Sequence, residues 1–195
     1  MNKGRLEAFS DGVIAIIITI MVLELKAPHG EDFAALRSTT PTFLMYVLSF
    51  IYVGIYWNNH HHMLHACRRV TGGVLWANLH LLFWMSLIPF TTAWMGENHF
   101  AGAPSSLYGF VLLMTGVAYL ILQQLIIRAQ GGHSVLKDAV GRDWKGKASA
   151  ILYSIAILSA FASPVISQVI YVLVALMWLV PDRRIERTLA RQEPE

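Results

Sequence analysis

Ser10 and Asp11 stand side by side near the start of a largely apolar run from residue 9 to residue 25. A polar or ionisable group in such a run is costly unless it is paired, so each needs a partner or a task. The chain offers few. Trp57 and the triplet His60-His61-His62 close a second apolar run, Asn78 opens a third, and His65 and His80 stand nearby. These side chains allow three chemistries: a hydrogen-bonded cluster, a metal centre or a proton relay. For metal, His61 and His65 are spaced i, i+4 and could share an ion with His80 or Asp11. Against it, the His60-His61-His62 triplet points three ways around a helix, and no further carboxylate stands at the same depth. The single cysteine, Cys67, excludes an intrachain disulfide and a thiolate-rich zinc site. The hydrogen-bonded cluster is the reading these residues favour.

The elements that must position them are helices in lipid. Of the 195 residues 55% are apolar and 14% charged, with a mean hydropathy of +0.51. A soluble domain carries about 25% charge, so this chain has too little for a solvated surface. Apolar runs of spanning length predict six transmembrane helices, near residues 5–25, 43–66, 72–95, 107–129, 147–161 and 164–180, with a tail over 181–195. The short fifth forms a hairpin with the sixth through Ala162-Ser163-Pro164, since proline is tolerated in a helix's first turn. The first run is too long for a signal peptide, holds Asp11 and lacks a cleavage pattern, so it is expected to remain as a helix. The expectation is one all-α integral membrane domain over 1–195, without internal repeats.

Charge sets the orientation. Lys3, Arg5, Arg68, Arg69, Arg128, Lys137, Arg142, Lys145, Lys147, Arg183, Arg184, Arg187 and Arg191 all fall on one side, which leaves only Lys26 and Arg37 opposite. Both termini are therefore expected in the cytoplasm, with the protein multi-pass in the cell membrane. Basic residues scattered between apolar runs argue against nucleic acid as a partner. No span carries repeated arginines, so the chain lacks the charges of a voltage sensor.

Depth then pairs the polar residues. At 1.5 Å per residue, Asp11 and Ser10 lie roughly 9 Å inward from Arg5, His60 and His61 about 10 to 12 Å from Arg68, and Asn78 about 13 Å from Arg69. Trp57 is about one turn deeper than the histidines. A cluster of Asp11 and Ser10 with Trp57, His60 or His61, and Asn78 would join the first three helices. Another face of the first helix carries Ile16, Ile20 and Leu23 at i, i+4 and i+7 with Thr19 beside them, and Asp11 points about 140° away. Charge and stripe face different neighbours.

The run Arg5-x-x-x-Phe9-Ser10-Asp11-Gly12-Val13-x-Ala15-Ile16-x-x-Thr19-x-x-Val22-Leu23-Glu24-Leu25 resembles the first helix of the transmembrane protein 175 family, the lysosomal-type potassium channels, in its prokaryotic branch. The resemblance continues through Tyr56-Trp57-Asn58-Asn59-His60-His61, Trp76-Ala77-Asn78-Leu79 and Pro89-Phe90, and covers roughly the first half of the chain. It implies a homotetramer whose first helices surround a potassium-selective, leak-type pore, with Arg5, Phe9, Ser10 and Asp11 organising their cytoplasmic halves. The narrow constriction maps onto Ile16, with Ile20 and Leu23 as further apolar layers and the Thr19 hydroxyl as an ion ligand. The implied partners are further copies of the chain, lipid and potassium ions, with no cofactor and no enzyme activity. Neither the family nor this sequence has a Thr-Val-Gly-Tyr-Gly carbonyl filter, so modest selectivity is expected. His60, His61, His62, His65 and His80 make proton modulation a further expectation. Two other functions fit parts of the pattern: a proton-coupled or other secondary transporter using Asp11 and the histidines, and a membrane metalloenzyme using the histidine cluster.

Overall fold

Long apolar stretches with few breakers give helices throughout. The computed structural model describes residues 2–130, 136 and 143–179. Its elements are α1 (Lys3–Leu23), a 3-10 turn (Ala35–Thr39), α2 (Thr40–His65), α3 (Gly72–Ser86), α4 (Ile88–Glu97), α5 (Gly102–Gln130), α6 (Trp144–Ser159) and α7 (Pro164–Leu179). The starts of α1, α3 and α6 are marked by side-chain caps that satisfy first-turn N–H groups. Asn2 accepts from the Gly4 N–H at 3.2 Å, Thr71 from Val74 at 3.3 Å and Asp143 from Gly146 at 3.0 Å. The expected tail over 181–195 lies outside the described residues, as do Lys137, Arg142 and the four tail arginines.

The third predicted helix is in fact two. Pro89 has no N–H to give the Met85 carbonyl, and its ring crowds that carbonyl, so the helix breaks one turn earlier. At the break the Leu87 N–H reaches the Trp84 carbonyl at 3.2 Å. Together α3 and α4 form one stretch, Gly72–Glu97, long and apolar enough to cross a membrane, as are α1, Ala35–His65 and Gly102–Gln130. With 16 residues each, α6 and α7 reach about 24 Å of the ~30 Å hydrocarbon core at 1.5 Å per residue. They return on one another through four residues, with the Ser163 N–H on the Ser159 carbonyl at 2.8 Å. Among the described residues the fold is that of a multi-pass membrane protein with six helical segments.

Within it α5 touches α3, α4, α6 and α7, whereas α1 lies to one side against α2, α3 and α4. A seam of hydroxyls runs through the largely apolar core. Thr92 Oγ1 lies 2.7 Å from Ser49 Oγ, which lies 3.0 Å from the Tyr108 hydroxyl, and the Tyr52 and Tyr171 hydroxyls donate to the Tyr171 and Ser105 carbonyls at 2.6 and 2.8 Å. In lipid no water satisfies such groups, so the seam ties α2, α4, α5 and α7 together. Cys67, in the turn between α2 and α3, is buried, donates its thiol to the Arg69 carbonyl, and burial pushes that thiol's pKa up. It is a packed, inert residue.

Close backbone approach governs α4. A Cβ on Gly96 would stand 2.6 Å from Thr42 Cα, a backbone atom that has nowhere to move. On Gly116 it would meet nothing nearer than the Tyr56 hydroxyl at 3.7 Å. Gly96→Ala should therefore destabilise by about 1–3 kcal/mol through overpacking. Gly116→Ala should be neutral or stabilising by up to ~1 kcal/mol through helix propensity. Thermal unfolding of the purified variants in one detergent checks both signs.

Candidate functional site

The first helix carries two unlike faces. Leu6, Ser10, Ile14, Ile17 and Met21 are buried against α2, α3 and α4. Ile16, Thr19, Ile20 and Leu23 are exposed together on another side, with Ile16 at 58% and Leu23 at 77%. Among the described residues nothing covers this stripe. Thr19 Oγ1 donates to the Ile16 carbonyl at 2.9 Å, which leaves its lone pairs for an outside ligand.

A buried polar chain fixes which face turns inward. The Asn78 amide donates from Nδ2 to Ser10 Oγ at 2.9 Å and meets His60 Nε2 through Oδ1 at 2.7 Å; Ser10 Oγ in turn donates to the Leu6 carbonyl at 2.8 Å. Ser10 and Asn78 are fully buried, and His60 nearly so. Because Oδ1 only accepts, His60 must carry its proton on Nε2, and every bond in the chain then runs donor to acceptor without an orphan. Thr, Ser and Asn side chains that cross between membrane helices serve as such ties.

Asp11 is elsewhere. It is exposed, and its Oδ1 accepts from the Trp57 indole N–H at 3.1 Å on a half-exposed flank between α1 and α2. The single expected cluster is thus two separate ties. Ser10, His60 and Asn78 share the buried one, and Asp11 and Trp57 share the outer one. His61 belongs to neither: its ring stacks on Trp57 and on His65, with centroids 6.2 and 6.3 Å away. Adjacent residues differ by 100° around a helix, so His60 and His61 cannot both face α3. Arg5 is exposed and Phe9 half-exposed, outside both ties. Lys3 adds a third link, its ammonium donating to the His65 carbonyl at 2.8 Å at the end of α2. The hydroxyl seam of Ser49, Thr92 and Tyr108 escaped the sequence reading, because tyrosine and threonine within apolar runs look like ordinary core.

Just past the other end of α1, the Lys26 ammonium pairs with Glu97, the last residue of α4, and that hydrogen bond together with the charge of Glu97 raises the Lys26 pKa. Among the described residues no group of three or more His, Cys, Asp or Glu side chains is placed to hold a metal ion. The histidines converge on hydrogen bonds and stacking instead.

The family described as endosomal/lysosomal potassium channel TMEM175 matches residues 5–89 of this chain. A potassium channel of Chryseobacterium sp. is 56% identical over 189 residues, which cover 97% of this chain and 98% of that one. The human endosomal/lysosomal proton channel TMEM175 shares 39% identity over 83 residues, 36% of this chain and 16% of the human one. The crystal structure of a lysosomal potassium-selective channel TMEM175 homologue from Chamaesiphon minutus superposes with a TM-score of 0.81 at 27% identity, over 92% of this chain and 97% of that chain. These relatives are ion channels rather than enzymes. Extended similarity to the Chryseobacterium channel, with the same helical architecture as the Chamaesiphon homologue, places this chain in the TMEM175 family.

Proposed function

We propose that this chain is a potassium-selective, leak-type cation channel that works as a homotetramer, with α1 of each copy around a central pore. One observation carries the reading: the stripe of Ile16, Thr19, Ile20 and Leu23 is uncovered by any of the described residues, on the helix whose opposite side is fixed by buried hydrogen bonds. In a homotetramer, closed rotational symmetry brings the same stripe from every copy to one axis. The channels of Chryseobacterium and Chamaesiphon support potassium as the permeant ion.

In this assembly Ile16 forms the narrowest ring, with Ile20 and Leu23 as wider apolar layers. An ion passes such a ring only after losing part of its water, and potassium gives up water more readily than sodium. Apolar rings and threonine hydroxyls are weaker and fewer ligands than stacked carbonyls, so the preference for potassium is modest. The same rings close the path by dewetting when they narrow. The excess of positive charge on one side supports an orientation with both termini in the cytoplasm, and the membrane in this reading is the cell membrane.

A proton-coupled carrier is the second reading. It draws on Asp11 and the exposed His61 and His65, which lie within reach of one another through Trp57. Single-channel steps in a planar bilayer separate the two, since a carrier gives slow, saturable, proton-dependent uptake.

Flux through reconstituted protein tests the pore. The parent should pass potassium faster than sodium, and Ile16→Asn, which widens and wets the ring, should raise total flux and bring the two ions closer; unchanged flux and preference in Ile16→Asn would remove Ile16 from the pore. The ties have a different signature. Asn78→Leu strands His60 and Ser10 and should cost about 1–3 kcal/mol of stability. Asp11→Ala removes one cross-helix bond, worth about 0.6 and at most ~1.7 kcal/mol in a membrane protein. Both variants should lower the unfolding temperature and the yield of assembled protein more than they alter ion preference, read from gel filtration and flux on the same samples. Intact assembly with altered preference in Asp11→Ala would move Asp11 into the ion path.

A further inference from the structure

The exposed stripe of α1 does not stop at Ile16. The helix runs unbroken from Lys3 to Leu23. At 100° per residue Arg5 and Phe9 fall about 20° to either side of the Ile16 direction, and Gly12 about 40° from it. All three are exposed, and a Cβ on Gly12 would meet nothing within 4 Å. The uncovered face therefore ends on a guanidinium about 17 Å before Ile16, at 1.5 Å per residue. Lys3, in the same turn, pairs with Glu7 at 3.7 Å and donates to the His65 carbonyl at 2.8 Å, on the packed side of the helix. Arg5 meets no acceptor among the described residues. A cation in the first turn opposes the helix dipole, so Arg5 does not owe its place to the stability of α1. Orientation in the membrane does not need it either, since Lys3 and the basic residues between later helices carry the same sign on that side.

In the proposed pore, on which this rests, rotational symmetry carries the stripe of every copy to one axis. The same operation brings one Arg5 guanidinium from each copy to the cytoplasmic mouth. Charged rings at a pore mouth decide which ions gather there, and an arginine raises an electrostatic barrier to cations. We propose that Arg5 is such a barrier: it holds down the potassium concentration at the cytoplasmic mouth, so that the channel passes potassium into the cytoplasm more readily than out of it. Four unit charges ~10 Å from an entering ion lower its concentration about twofold at 0.15 M salt and about eightfold at 0.01 M, by Coulomb's law in water with Debye screening. Potassium arriving from the other side meets the Leu23 layer first and is not depleted where it enters. The current is then inwardly rectifying, and more steeply so in dilute salt.

The test is current through the full-length chain in inside-out patches excised from expressing cells, with equal potassium chloride on both sides. Arg5→Gln should cut the ratio of inward to outward current about twofold at 0.15 M salt and about eightfold at 0.01 M, whereas Arg5→Lys, which keeps the charge, should hold the parent's ratio. Arg5→Cys in a Cys67→Ser background separates charge from folding and orientation, because the same assembled channels are measured before and after labelling. A cationic methanethiosulfonate applied to the cytoplasmic face should restore the inward bias, and an anionic one should turn it outward. An unchanged ratio in Arg5→Gln, or reagents of opposite charge acting alike, overturns the barrier; with Ile16→Asn still raising flux, the pore itself stands. A parent that carries no potassium current would remove the pore and the barrier together.

Discussion

The arrangement of this molecule depends on the Asn78 side chain. One amide, fully buried, gives a hydrogen bond to Ser10 on α1 and receives one from His60 on α2. Lipid offers an unmatched amide no water, so rotating α1 away from this contact leaves donors and acceptors unpaired at a cost of several kcal/mol. Apolar packing cannot supply that constraint. An isoleucine-rich helix in lipid has almost equal reasons to turn any face inward, because tails and side chains are equally apolar. The polar chain fixes the rotation of α1, and with it the direction in which Ile16, Thr19, Ile20 and Leu23 point.

Two consequences follow for the proposed channel. The residues that orient α1 are not those that meet the ion, since the Ser10 face and the Ile16 face are far apart around the helix. Selectivity and assembly can then vary independently, which suits a pore built from weak, apolar determinants. The kink at Leu87 and the hydroxyl seam around Tyr108 belong to the scaffold behind α1. They hold α4 and α5 in place while α1 keeps its outward face clear.

Much of this was legible before any coordinates, and the limits have a physical origin. Helix depth follows from a fixed rise per residue and from charges at helix ends, so pairing Ser10 with His60 and Asn78 by depth was within reach. Rotation is different. Neighbours such as Ser10 and Asp11, or His60 and His61, share a depth and differ only by 100° around the axis, and packing alone decides which turns inward. That is why one expected cluster became two ties and His61 fell outside both. Pro89 was visible, yet a proline in a membrane helix either kinks or ends it, and neighbouring helices settle which. The tyrosine seam left no periodic signal, because tyrosine reads as apolar until its hydroxyl finds a partner.

In the proposed channel the buried polar chain turns the Ile16 face of α1 toward a shared axis. Placing a cysteine there tests it directly, since Cys67, the single native cysteine, can be removed. In a Cys67→Ser background, cadmium applied to reconstituted Ile16→Cys protein should block potassium flux, and mild oxidation should link subunits through position 16. Cadmium-insensitive flux, with position 16 open only to lipid-soluble thiol reagents, would place the stripe against lipid and contradict the account.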